Sequence, residues 1–550
     1  MTTLQTLDYV AIVLYMALMA GLGMALGAFI KDISAYFKGG GTVPWVAAAI
    51  SNYMSMFSAF IFVAYAGIAY EHGLVAVTLI WCTVPPALVG AAVFAQRWRR
   101  AGIMTPTEYL ETRFNTPVRQ FFSWGGIAFR ILDNMVRLYA IGLFLSAATP
   151  MSLETSILVA GLIVTLYTVA GGLWAVVLTD VVQFVVLLFA SLIMLPLSLQ
   201  AVGGWTAMRD ALPDHFTFFH GPKGAPLFLL AYYAMVLIKY NGNWSFIQRF
   251  YSVRDEAAGR KMGLLMAALF FAFPFVFLLP AMAARIAVPD LADHEMAYVA
   301  MALRVLPAGV MGLMISAMFA ATMSALDSEF NVTAGVFTRD IYQRLLRPAA
   351  PPVELMWVAR GTTVVIGGLV VAGALLVSGL GGAFEANKVL TGLAIPLSVP
   401  LVLGVLMRRA RPWGAVATVL VGVSLGVYLN YHPEVDWPAA TLAVIGVSLA
   451  TMFVSGLVPS RDAAYHRRVA EFFQRLATPL REEDKPQVDA AFRRSLTVML
   501  AAALAGTGML FVGMAIPSTG LFSGQLTLAS GAGCLVLAAT VYVRSADGVR

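Results

Sequence analysis

Charge is scarce in this chain. Asp, Glu, Lys and Arg make up 12% of its 550 residues, against about 25% in soluble domains. With 60% hydrophobic residues and a mean hydropathy of +0.81, an ordinary soluble domain is excluded. Cysteine is nearly absent too: Cys82 and Cys534 both lie in apolar runs, which reads as two reduced packing residues and excludes a disulfide framework or a thiolate metal cluster. Catalytic motifs are missing as well. There is no G-x-x-x-x-G-K-[ST] phosphate cradle and no H-E-x-x-H pair, and the glycine run 39–41 precedes an apolar span with no strand before it. An ATP-driven pump is excluded, an enzyme is disfavoured, and neither an organic cofactor nor a nucleic-acid partner is expected.

What the chain has in abundance is apolar runs of roughly 18–25 residues, the length of membrane helices and not of ten-residue barrel strands. The expected fold class is all-α and polytopic, surrounded by membrane lipids. About fifteen spans are predicted, at 8–30, 44–69, 74–96, 118–148, 155–171, 174–200, 226–248, 260–285, 303–328, 356–379, 385–407, 412–430, 439–458, 495–516 and 523–543. The first run is long enough to span and lacks a basic leader, so it reads as a helix and not a cleaved signal. With an outside N-terminus, one side collects Lys31, Lys38, Arg97, Arg99, Arg100, Arg113, Arg119, Arg249, Arg254, Arg339, Arg344 and Arg408, while the other holds scattered Arg209, Lys223, Arg285, Arg304 and Lys388. That asymmetry predicts a cell inner (plasma) membrane protein with a cytoplasmic C-terminus. Residues 1–458 read as the body, 459–494 as a solvated cytoplasmic linker lying along the headgroups, and 495–543 as a final hairpin. Stretches 203–224 and 287–307 are long enough to cap the outer side, the second as a lid of short helices.

Polar groups inside the apolar runs mark the candidate site. Residues 317–341 carry Ser324, Asp327 and Ser328, and an ionisable group at membrane depth costs about 2.5–3.5 kcal/mol on the gentlest scales. Ala321, Ser324, Ala325 and Ser328 follow i, i+3, i+4, i+7 spacing and share one face. The second span has the polar and bulky centre Ser51-Asn52-Tyr53-Met54-Ser55-Met56-Phe57-Ser58. A break there frees carbonyl oxygens that bind cations in secondary transporters, although serines also occur in ordinary helix packing.

GGLWAVVLTDVVQ (171–183) and MSALDSEFNVTAGVFTRDIY (323–342) closely resemble signatures of the sodium/solute symporter family, and YFKGGGTVPWV (36–46), GIAYEHG (67–73) and FIQRFYSVRDEAAGRK (246–261) agree in order. The resemblance implies a leucine-transporter-like fold: the extra helix 8–30, two inverted five-helix repeats at about 44–200 and 226–407, and accessory helices from 412 onward. It further implies a sodium ion between the first and eighth core helices, held by the carbonyls of Met54, Phe57 and Ala321 and the hydroxyl of Ser324, with the Asp180 carboxylate nearby. A structural cap or ion pair is the competing role for Asp180.

The chain departs from the family where two adjacent hydroxyls are usual and Ser324-Ala325 stands instead. At about 100° per residue, position 327 lies on the other side of Ser324 from 325, so Ser328 is the better geometrical substitute, and Asp327 is expected to pair with Asn331 or to act through its charge. For the solute, Arg130, Asp133, Asn134 and Arg137 share a face of the third core helix, and Asp133 can neutralise one of the two arginines. The surplus charge suits a carboxylate, while a purely structural cluster is the alternative. Asn243, Tyr240 and Lys239 on the sixth core helix, and Asn387 and Thr391 on the tenth, complete the candidate list, with snorkelling as the alternative for Lys239. The expected function is sodium-coupled import of a sugar, sugar acid or other organic anion by a monomer. A proton-coupled or uncoupled carrier is the alternative, and a transporter-like sensor comes below both.

Overall fold

The computed structural model describes residues 4–27, 33–57, 61–219, 221–377, 383–432, 434–460, 462–487 and 490–547. Among these the only extended pairing is a bridge between Val43 and Val253, and the rest of the ordered backbone is helical. A bilayer offers no hydrogen bonds to the backbone, so long apolar runs close their own as helices. Ten described helices are long and apolar enough to cross a membrane, or up to eleven if one bent pair is a single span. The other expected spans fall on the 33-residue helix Thr116–Ala148 and on the shorter apolar helices Leu153–Leu166, Pro226–Asn241 and Gly392–Gly404.

In chain order the helices are α1 (Thr6–Gly27), α2 (Trp45–Met56), α3 (Ile61–His72), α4 (Val75–Ala101), α5 (Glu108–Arg113), α6 (Thr116–Ala148), α7 (Leu153–Leu166), α8 (Gly172–Ala201) and α9 (Pro226–Asn241). They continue with α10 (Trp244–Ser252), α11 (Glu256–Ala287), α12 (Val310–Leu346), α13 (Pro352–Leu376), α14 (Ala383–Gly404), α15 (Pro412–Asn430), α16 (Trp437–Leu457), α17 (Ala463–Ala477), α18 (Ala490–Ser518) and α19 (Phe522–Val543). Two positions equivalent in the two halves are discontinuous, the arrangement of inverted-repeat transporters. The first was expected: α2 stops at Phe57, whose backbone is extended (φ −96°, ψ 129°), and α3 leaves at 64°. The second was not. The predicted continuous span 226–248 breaks at Gly242, where an added Cβ would stand 2.7 Å from Ser398 Cα, and restarts at Asn243, whose Oδ1 caps the Phe246 N–H at 3.0 Å.

Helix α12 is the hub, buried at every residue from Val310 to Val336 and packed on α1, α2, α6, α8 and α13. Its start is held by α1. Asp8 Oδ1 accepts the N–H groups of Gly309 (2.7 Å) and Gly312 (2.9 Å), a carboxylate placed where unpaired amides and the helix dipole favour it. The turn into α8 depends on Gly172 (φ +55°), whose missing Cβ would lie 2.6 Å from the Tyr36 ring. At the far end, His294–Met296 and Ala297–Val305 are the short helices expected in 287–307.

Helix α17 corrects an expectation. Tyr465, Val469, Phe472, Phe473 and Leu476 bury its apolar face on the ends of α4 and α5. An amphipathic pattern suits protein and lipid surfaces equally, so the sequence pointed to headgroups where the chain uses its own helix ends.

Candidate functional site

Between α2, α8, α10 and α12 lies a buried polar cluster. Ser51 Oγ donates to Asp180 Oδ2 at 2.5 Å, and Ser55 Oγ donates to the Ser51 carbonyl at 2.8 Å and meets Ser328 Oγ at 2.7 Å. Into this cluster reaches Arg249. Its guanidinium donates to Ser51 Oγ (3.0 Å), Ser328 Oγ (2.7 Å), Ser55 Oγ (3.3 Å) and Gln248 Oε1 (2.6 Å), and stands 3.8 Å from Asp180 Oδ2 with both side chains fully buried. By sequence alone Arg249 belongs with the basic loop residues. The break at Gly242 carries α10 inward instead, and four hydrogen bonds replace the water that the guanidinium loses.

The expected cation ligands divide into two groups. Ser328 faces the broken helix as anticipated, but its hydroxyl already serves Arg249 and Ser55. The Met54 carbonyl accepts the Phe57 N–H at 3.1 Å as α2 ends. By contrast Asp180 Oδ1, Ser324 Oγ and both oxygens of Asp327 are buried without a hydrogen-bond partner. Ser324 faces Asp180 without a well-formed hydrogen bond, and Asp327 lies in the field of Asp180 and Arg249. The expected Asp327–Asn331 pair is absent: Asn331 Oδ1 accepts from Gln248 Nε2 at 3.0 Å, and its Nδ2 donates to the Tyr36 carbonyl. Two carboxylates and one guanidinium carry one formal negative charge in a buried space, and the unpaired oxygens of Asp180, Ser324 and Asp327 are the donors a hard cation takes. The residues therefore fit a monovalent cation. Asp180 sits too far into α8 to cap it, which removes that half of its structural alternative.

A second site lies between α3, α4, α6 and α9. A cavity of about 90 Å³ is lined by Tyr65, Asp133, Arg137, Tyr232, Lys239 and Asn243 among others, including Tyr240 and Cys82. Arg137 holds Asp133 at 3.0 Å, and Lys239 approaches its other oxygen at 3.9 Å. Lys239 does not snorkel; it lines the cavity. Arg130, predicted to compete for Asp133, is met instead by Glu329 at 3.2 Å, whose Oε1 also accepts from Asn243 Nδ2 (3.2 Å) and Ser245 Oγ (2.9 Å). The positive surplus inferred from Arg130 is supplied by Lys239. Asn134 is buried, does not line the cavity, and has an unpartnered Oδ1. Asn387 and Thr391 belong to α14, and their side chains lie outside the described residues. Glu329 and Arg249 were missed, although a carboxylate two residues beyond Asp327 in the same buried run carried the same signal.

Two broken helices, paired repeats and an oxygen-lined centre define a secondary transporter of the leucine-transporter-like class. The chain matches the sodium:solute symporter family over residues 36–422 and belongs to it. It is 27% identical over 468 residues to a sodium/glucose cotransporter of Vibrio parahaemolyticus, covering 78% of this chain and 86% of that one. It is 25% identical over 488 residues to a sodium/sialic acid symporter of Aliivibrio fischeri, covering 82% and 94%. Among solved structures, a Na+-coupled sialic acid symporter in a substrate-bound outward-open state superposes with a TM-score of 0.75 at 22% identity, covering 83% of this chain and 98% of that one.

Proposed function

We propose that the chain is a secondary active symporter that imports a small organic solute bearing a carboxylate, such as a sugar acid, together with sodium. The observation that carries the solute class is the charge of the cavity wall: Arg137 and Lys239 face the single carboxylate of Asp133. One positive charge in a desolvated wall is left for a substrate anion, and a guanidinium can meet a carboxylate with two parallel hydrogen bonds. Tyr65, Tyr232, Tyr240 and Asn243 supply the remaining polar contacts.

Sodium coupling is supported by the family and by the unpaired oxygens. Asp180, Ser324 and Asp327 would hold the ion, with the Met54, Phe57 and Ala321 carbonyls completing its shell. An ion that binds one state more tightly biases exchange between outward- and inward-facing forms. Ala325 keeps a second reading in play, because a proton on Asp327 also neutralises the surplus negative charge. We further propose that the basic end faces the cytoplasm and the N-terminus the outside; a C-terminal tag is then protease-protected in intact cells and an N-terminal one accessible.

Uptake into liposomes containing only this protein tests both parts. A sodium gradient should drive accumulation of a carboxylate-bearing solute. R137A should cut uptake by more than tenfold while sodium still raises the thermal stability of the protein. Equal uptake from a proton gradient without sodium overturns the ion, and undiminished uptake by R137A overturns the solute class.

A further inference from the structure

An apolar groove separate from both sites runs between α2, α8 and the α18–α19 hairpin. It has a volume of about 470 Å³, within the range of roughly 300–1,000 Å³ for ligand sites. Ile50, Leu178, Phe189, Leu500, Leu504 and Leu537 form its walls, and its polar groups gather at one end, where Thr42, Thr497 and Arg493 stand. That is the basic end of the bundle. From Arg493 to Leu504 the groove follows α18 for about 16 Å at 1.5 Å per residue, close to the ~15 Å of one leaflet's hydrocarbon. Arg493 lines the groove and is exposed, and its chain neighbour Arg494 is exposed as well.

We infer that this groove binds an anionic phospholipid of the leaflet at the basic end, one acyl chain lying between α8 and α18 and the headgroup phosphate at Arg493. Water gains nothing in such a slot, since the walls offer almost no hydrogen bonds, whereas an acyl chain replaces the missing packing. Arginine at headgroup depth selects the lipid by charge and presents the planar fork that phosphate accepts. The first half of the broken helix is one wall, so the lipid bridges a transporting element and the accessory hairpin.

The test uses the purified full chain in an uncharged detergent, titrated with phosphatidylglycerol or phosphatidylcholine and read by thermal unfolding and by native mass spectrometry. Phosphatidylglycerol should raise the unfolding temperature more than phosphatidylcholine and remain bound after detergent activation. Each of R493Q and R494Q should weaken that response roughly fivefold, while R467Q, an exposed arginine on α17 outside the groove, leaves it unchanged. L500W should displace the bound lipid. Equal responses to the two lipids, an undiminished response in R493Q, an equal loss in R467Q, or lipid retained by a folded L500W would each overturn the proposal.

Discussion

Asp327 is fully buried, and its oxygens make no well-formed hydrogen bond, with only the Ser328 N–H and hydroxyl nearby. An unpaired charge in that position is strongly destabilising until a cation or proton joins it. D327N should therefore unfold at a higher temperature than the wild type in sodium-free buffer and should lose most of the stabilisation that sodium confers, with affinity falling at least tenfold. A sodium-induced shift equal to the wild type's would remove Asp327 from the ion site. Ser324 and Ser328 were legible in the sequence because a polar residue in an apolar run needs a reason to be there, and Asp180 only through the family resemblance of 171–183. Arg249 was not, because a cation near the end of a predicted span looks the same whether it ends in water or turns inward, and the choice rests on Gly242 packing against Ser398.

Among the helices, the two breaks differ in how openly the sequence announces them. The first carries a polar centre from Ser51 to Ser55, while the second hides in YNGNW, between aromatic residues. Helix α17 was legible as an amphipathic helix and not as a docked one. Arg113 fixes it by donating to Tyr465 Oη at 2.8 Å while also bonding the Gly404 carbonyl at 3.1 Å. Tyr465 in turn donates to the Ala410 carbonyl at 2.5 Å, and Arg100 holds the Leu476 carbonyl at 3.0 Å. This clasp ties α4 and α5 to the end of α14. Replacing Phe472 and Phe473 by alanine removes its buried anchors, each worth about 3–5 kcal/mol in a well-packed core. The double variant should expose the 463–477 stretch to limited proteolysis at temperatures where the wild type resists. Unchanged protection would show that the helix does not depend on that face.

Across the whole molecule, the basic end is closed by a network joining distant parts of the chain. Asp340 accepts from Thr105 (2.8 Å), Thr107 (2.5 Å) and Arg119 (Nε, 3.0 Å), and Glu111 bridges Arg344 and Arg119 at 2.6 Å each. Hydrogen bonds from Arg344 first, then from Arg119 and Thr116, pull the Glu111 carboxyl down from 4.5 to about 2. Because its pKa is depressed on folding, Glu111 contributes stability that is present above about pH 4.5 and lost as pH falls toward 2. E111Q should be less stable than the wild type near neutrality, with the gap in unfolding temperature narrowing between pH 4.5 and 2. A constant gap would assign its role to packing instead. The all-helical polytopic fold was legible because apolar runs survive in sequence, and its leucine-transporter-like class through the resemblance that the motif order carries. These cross-chain ties were not, because nothing local links residue 111 to 344.

One such tie governs how the protein comes into being. Asp8 and the Gly309 amide it holds are 301 residues apart, which at about 5–20 residues per second separates their emergence from the ribosome by roughly 15–60 s. For that interval Asp8 Oδ2 has only the local Gln5 N–H, at 2.9 Å, and Oδ1 waits for the two amides of the hub helix. Biogenesis therefore has a late commitment point: a chain arrested before residue 309 has every helix of the first repeat, with α1 packed on α8, yet lacks the tie from Asp8 to the hub.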